Sequence, residues 1–130
     1  MMVVDASAIL AILLHEPDSG LYKQALLQQG GALMSPVNHW EVLVRIRATL
    51  GDPGLELAQA LLRELCVEVR PATADHSRVA ADAHVRFGRT TPAKLNLGDC
   101  FAYALAVEQG EGLLFKGDDF PKTDVASALT

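Results

Sequence analysis

The sequence predicts a three-layer α/β/α domain on a mostly parallel sheet of four to five strands, and three observations carry that reading. Short apolar runs alternate with helix-like stretches of about 10–15 residues, the spacing of βαβ units whose parallel strands are joined through covering helices. Half of the 130 residues are apolar, enough for one substantial core in a chain too short for two. No linker-like stretch, repeat or low-complexity segment interrupts the alternation, so residues 1–130 read as a single domain.

Met2-Val3-Val4 reads as a first strand ending at Asp5, and Ala6 to Leu14 as a largely buried helix that Pro17 terminates. A second helix is expected from Asp18 to Gln29, with Leu21, Ala25 and Leu26 on its inner face and Gly30-Gly31 as its stop. Ala32-Leu33-Met34 supplies a second strand. Ser35-Pro36 combines an N-cap residue with proline at the first helical position, which predicts a helix from Val37 to about Leu50. Gly51-Asp52-Pro53-Gly54 reads as a turn, and Leu55 to Leu65 as a helix with leucines 57, 61, 62 and 65 facing the core. Val67-Glu68-Val69 alternates like a third strand. A helix from Ala74 to Phe87 and a polar, basic loop from Arg89 to Leu95 follow. The next helix runs from Gly98 to Gln109. Gly112 to Phe115 makes a fourth strand, and Val125 to Ala128 offers a short fifth at the sheet edge.

The formal net charge of −5 argues against a general nucleic-acid coat protein, which would carry a basic footprint. That charge is unevenly placed. With Asp5, Glu41, Asp99, Asp118 and Asp119 set aside, the remaining acids equal the 11 lysines and arginines in number, so the whole imbalance is equivalent to one candidate site. Cys66 and Cys100 lie between apolar residues and read as buried hydrophobes in a reducing compartment. The apolar start lacks a basic leader region and contains Asp5, and no run is long enough to cross a bilayer. The expected location is cytoplasmic.

Each of the five acids sits against apolar sequence, and the predicted topology sends them to one place. In open parallel sheets ligand sites collect beyond the carboxyl ends of the strands. Asp5 ends the first strand, Asp118 and Asp119 follow the fourth, and Glu41 and Asp99 lie early in helices that start on that side. Local roles compete with this reading. Asp5 can cap the first helix, Asp99 can complete a capping box with Asn96, Glu41 can pair with Arg45 one turn on, and Asp118 and Asp119 can be turn residues. Several carboxylates packed among apolar neighbours nevertheless repel one another unless a proton or cation offsets them. Oxygen ligands select hard ions, so Mg²⁺ or Mn²⁺ is the expected cofactor. Carboxylate-held magnesium beside a phosphate ester is the arrangement of metal-assisted phosphodiester hydrolysis. Ser7 is placed to support Asp5 by hydrogen bonding.

Four stretches together resemble a known family: Val3-Val4-Asp5-Ala6-Ser7-Ala8-Ile9, Glu41 in the helix after Ser35-Pro36-Val37-Asn38, Leu95-Asn96-Leu97-Gly98-Asp99-Cys100-Phe101-Ala102-Tyr103-Ala104, and Leu114-Phe115-Lys116-Gly117-Asp118-Asp119-Phe120. They resemble the PIN domain and, more narrowly, the toxin member of VapBC-type toxin–antitoxin pairs, over nearly the full chain. The resemblance implies a PIN-like fold and an Mg²⁺- or Mn²⁺-dependent endoribonuclease. It also implies a homodimer, a cognate antitoxin as partner, and an RNA substrate such as tRNA or another structured RNA. Asp5, Glu41 and Asp99 match the family's metal-binding acids, and either Asp118 or Asp119 matches the fourth. Ala6, where relatives often carry Thr or Ser, is a small departure.

Arg86, Arg89, Lys94, Lys116 and Lys122 flank Asp99 and Asp118 in sequence and are candidates for RNA phosphate contacts. The four histidines lack metal-ligand spacing, and Trp40 reads as core or dimer packing rather than a base-stacking platform. A receiver domain of a response regulator would need a phospho-acceptor Asp after a central strand, whereas Asp52 sits in a Gly-Pro turn. A haloacid-dehalogenase-like phosphatase would need an acid where Ser7 stands. A PIN-like scaffold that only binds a partner is the non-enzymatic alternative.

Overall fold

A computed structural model describes residues 1–129. Four strands, β1 (Val3–Val4), β2 (Ala32–Met34), β3 (Val67–Val69) and β4 (Leu113–Leu114), form one sheet in the order β3-β2-β1-β4, with every pairing parallel. Five α-helices connect them: α1 (Ala6–Leu13), α2 (Ser19–Gln29), α3 (Pro36–Glu64), α4 (Ala74–Phe87) and α5 (Leu97–Gln109). A 3₁₀ turn follows at Phe120–Lys122. The expected fifth strand is reduced to a single parallel bridge between Leu113 and Ser127.

Alternation along the strands sorts the core into two layers. Val4, Met34 and Leu114 pack with Ile9, Leu26, Val42, Ile46 and Leu62 of α1, α2 and α3. Val3, Leu33 and Leu113 face the other way, against Ala80 and Ala83 of α4 and Ala102 and Leu105 of α5. Because β2 and β3 are added on one side of β1 and β4 on the other, the direction of winding reverses at β1. A crevice is expected beyond its carboxyl end, and that end is Asp5.

Three expectations need correction at this level. The Gly51–Gly54 turn is a kink within one long helix, because only Gly51 leaves helical geometry (φ 69°, ψ −161°), a conformation that essentially only glycine adopts. The helix beyond the kink buries Gly54, Ala58, Leu62 and Leu65, leaving Leu57 58% exposed, and on α2 it is Tyr22 and Leu26 that are buried while Leu21 faces outward. Both errors come from taking every large apolar residue as inward-facing, where the 3.6-residue repeat admits only one stripe. Cys100 is buried as expected, but Cys66 is exposed in a left-handed turn (φ 55°).

Candidate active site

Asp5 sits where β1 becomes α1. Its backbone N–H donates to the Leu114 carbonyl of β4 (2.9 Å), and its side chain caps α1. Oδ2 accepts from the Ser7 N–H (3.1 Å) and from the Ser7 hydroxyl (2.6 Å). The same hydroxyl accepts from the Lys116 N–H at 2.9 Å, so Ser7 ties the Asp5 carboxylate to the segment leaving β4. Asp5 is buried, and burial raises its pKa against the opposing pull of the Ser7 hydrogen bonds.

Glu41 enters from α3. Ser35 caps that helix through its hydroxyl and Pro36 opens it, which places Asn38 and Glu41 on consecutive turns of one face. A Cβ built on Gly98 would lie 2.0 Å from Glu41 Oε1, so the Glu41 carboxylate rests on the backbone at the start of α5 and requires glycine there. Burial raises the Glu41 pKa, and the charge of Asp5 raises it further.

Asp99 lies in the first turn of α5 and forms a reciprocal capping box. Its N–H donates to Asn96 Oδ1 (2.9 Å) while its Oδ2 accepts from the Asn96 N–H (3.0 Å). The local role and the shared site therefore coexist. Burial, joined by the charges of Asp5, Glu41 and Asp119, pushes its pKa up to about 7 against the pull of the Asn96 hydrogen bond.

Asp118 and Asp119 both sit exposed in the loop after β4, and the Asp119 charge is among those that raise the Asp99 pKa.

The cations that flank these acids in sequence do not neutralise them. Lys116 reaches Glu16 (2.5 Å) and Asp18 (3.0 Å) instead. Arg86 pairs with Asp124 (2.8 Å) and stacks over Phe87. Among the described residues no salt bridge reaches Asp5, Glu41 or Asp99. Arg89 lines an apolar cleft of about 580 Å³ between α4 and the start of α5, with His84, Leu95, Asn96, Leu97 and Phe101 also on its walls, and Lys94 is exposed nearby. Trp40, expected in core or dimer packing, is 61% exposed in the single chain and so is no part of the core.

The donor chemistry fits a hard divalent cation: carboxylates whose proton affinity burial raises and which, among the described residues, have no salt-bridge partner. Among the described residues no three acidic, histidine or cysteine side chains are grouped closely enough to hold a metal as they stand. Between Asp5 and Glu41 stands a group that the sequence reading passed over, the Asn38 side chain, whose Nδ2 donates to Asp5 Oδ1 (3.3 Å), Glu41 Oε1 (3.0 Å) and the Gly98 carbonyl (3.0 Å). A signal for it existed. Asn38 shares a helical stripe with Val42 and Ile46, both fully buried, so it is a polar residue on an apolar face.

Comparison with known proteins finds matches over nearly the full chain. The model of the PIN domain matches residues 2–126. Ribonuclease VapC42 of Mycobacterium tuberculosis is 40% identical over 99% of this chain and 100% of its own length. Ribonuclease VapC of Mycolicibacterium smegmatis is 39% identical over 97% of this chain and 98% of its own. The crystal structure of M. tuberculosis VapC20, described as a Sarcin-Ricin loop cleaving toxin, superposes with a TM-score of 0.80 at 18% identity, covering 97% of each chain; at that identity the likeness establishes the fold.

Proposed function

This chain belongs to the PIN-domain family and, within it, to the VapC-type toxins, and on that premise we propose that it is a divalent-metal-dependent endoribonuclease acting as the toxin of a toxin–antitoxin pair. The observation that carries the mechanism is the trio Asp5, Glu41 and Asp99. All three have raised pKa values, and none has a salt-bridge partner among the described residues. Asp119 is the fourth acid, since its charge is felt at Asp99.

These carboxylates would hold Mg²⁺ or Mn²⁺, which when bound supplies a water activated for attack on phosphorus and stabilises charge on the phosphate. The protein's own groups orient the pocket. Ser7 fixes one Asp5 oxygen, the Asn96 backbone fixes one Asp99 oxygen, and the bare Gly98 backbone leaves room for the Glu41 carboxylate. Arg89 and Lys94 are the cations best placed to meet RNA phosphates, because Arg86 and Lys116 are engaged by acids. A structured RNA is the substrate. Exposed Trp40 and Val44 on α3 and Leu21 and Leu27 on α2 offer apolar area for a second copy and for an antitoxin. No helix of the described residues is long and apolar enough to cross a membrane.

The test is cleavage of tRNA and ribosomal RNA fragments by antitoxin-free protein with Mg²⁺ or Mn²⁺. Cleavage that is abolished by EDTA and by Asp5→Asn supports the reading. Equal cleavage by Asp5→Asn, or none by the wild type, would sink it in favour of a silent partner-binding protein.

A further inference from the structure

Asn38 is 0% exposed, and its carboxamide is used asymmetrically. Nδ2 has two protons and three acceptors, Asp5 Oδ1, Glu41 Oε1 and the Gly98 carbonyl, which belong to residues 33 and 60 positions away and to its own helix. Oδ1, by contrast, is buried without any hydrogen-bond partner. The orientation is dictated by the acceptors, since turning the amide over would set a carbonyl oxygen against two carboxylates and a second carbonyl. Burying an unpaired oxygen is unfavourable, and an apolar side chain would avoid it. What the amide offers in return is a donor at the junction of β1, α3 and α5, where two like charges meet.

We propose that Asn38 is a positioning residue of the acid pocket: its amide holds Asp5, Glu41 and the Gly98 backbone together in the metal-free protein and thereby sets how tightly a divalent cation is bound. The inference rests on the metal-dependent reading above. It goes beyond it by assigning the pocket's preorganisation to a neutral residue that is itself no part of the carboxylate set. The amide's hydrogen bonds stabilise the Asp5 and Glu41 carboxylates before a cation arrives. With two protons for three acceptors, it can also yield its longest bond, the one to Asp5, while remaining fastened to Gly98 and Glu41. Groups that orient ligands in this way typically change metal affinity by about 10–100-fold when removed.

The experiment is Mn²⁺ titration of the full chain by calorimetry, with thermal unfolding in EDTA and RNA cleavage measured alongside, for wild type, Asn38→Leu and Asn38→Ser. Leucine keeps the approximate shape without donors, whereas serine restores one donor. The expected result is Mn²⁺ affinity lowered about 10–100-fold in Asn38→Leu, an intermediate value in Asn38→Ser, and cleavage by Asn38→Leu that recovers towards wild type as Mn²⁺ is raised to saturation. A purely structural role would lower the melting temperature and leave the Mn²⁺ affinity of the folded protein within twofold of wild type, and that outcome overturns the proposal. Tighter binding by Asn38→Leu overturns it as well. If Asn38→Leu does not fold, Asn38→Ser decides: weakened Mn²⁺ binding supports the role, and unchanged binding removes it. A wild type that binds no Mn²⁺ would remove the metal-dependent reading together with this one, whereas a wild type that binds Mn²⁺ beside an unaltered Asn38 variant removes this one alone.

Discussion

Two acidic clusters of this protein differ in the cations they meet and in how deeply they are buried. Glu16 and Asp18, in the turn between α1 and α2, are met by the Lys116 ammonium, and Asp18 also accepts from the Tyr22 hydroxyl at 2.8 Å. The Tyr22 hydrogen bond and the lysine hold the Asp18 carboxyl below its usual range. Asp5, Glu41 and Asp99 are more deeply buried, have no salt bridge among the described residues, and shift the opposite way. The first cluster is self-neutralised at the surface. The second is left short of positive charge in the position where the winding of the sheet reverses, and a group that burial disfavours there is one that an external cation would satisfy.

The largest effect that would sharpen this contrast is stabilisation by metal. With Mn²⁺ at about 100 times its dissociation constant, linkage predicts about 2.7 kcal/mol of added stability, a rise in melting temperature on the order of 10 °C for a domain of this size. Asp18→Asn should keep that rise, and Asp99→Asn should lose it. Differential scanning fluorimetry in EDTA and in Mn²⁺ reads both, and a rise preserved in Asp99→Asn would place the metal elsewhere.

The next effect is the pH dependence of the metal-free protein. Asp99 binds its proton more tightly in the folded protein, where its pKa is pushed up to about 7, than at its ordinary value of 3.8, so between those values the folded state carries more protons than the unfolded one. Its favourable contribution is complete below about pH 3.8 and lost as pH rises through about 7. Asparagine imitates the protonated form and can still accept from the Asn96 N–H. Asp99→Asn should therefore match wild type near pH 4 and exceed it at pH 8 in EDTA, by roughly 1 kcal/mol or about 4 °C once solvent screening of this partly exposed group is allowed for. Asp18 has the opposite sign, its contribution being present at neutral pH and lost on acidification. Melting curves of both variants from pH 4 to 8 separate the clusters, and parallel profiles would deny the difference between them.

Gly98→Ala should affect the site more than the fold. The atoms nearest the added methyl are those at the end of the Glu41 side chain, which can swing aside, so a stability change below about 1 kcal/mol is expected. The displaced carboxylate should weaken Mn²⁺ binding about tenfold. A calorimetric titration that finds wild-type affinity would mean Glu41 does not contribute.

What the sequence discloses and what it hides follow from the range of the interactions. The sheet and helices were legible because their signals, apolar runs, caps and glycine stops, lie within a few residues of one another. Asp5, Glu41 and Asp99 were legible because each interrupts such a run. Asn38 was not, since its partners in β1 and α5 are 33 and 60 positions distant. Nor was the engagement of Lys116, which lies close to Asp118 in sequence but is drawn about 100 positions back to Glu16 and Asp18. The placement of Leu21 and Leu57 outside the core shows the remaining ambiguity, because composition marks a residue as apolar and only packing decides which apolar residues share a stripe.

The smallest expected effect tests whether the missing cation alone makes the acid pocket. Lys116→Met leaves Glu16 and Asp18 unpaired, as Asp5, Glu41 and Asp99 are, and if lack of a cation were sufficient it should create a second Mn²⁺ site. Burial argues that it will not. The side chains of Glu16 and Asp18 are about a third exposed (36% and 33%), so water solvates them once the lysine is gone and little drives a metal to bind. An exposed pair contributes little, so the melting temperature should fall only slightly, and by less in high salt, where such pairs are screened. The Mn²⁺ stoichiometry should equal that of wild type, and so should RNA cleavage, because Lys116 is occupied by acids rather than held toward a substrate. An extra Mn²⁺ equivalent in the Lys116→Met titration would show that charge imbalance without burial suffices, and loss of cleavage with metal binding intact would return Lys116 to the RNA-contacting set.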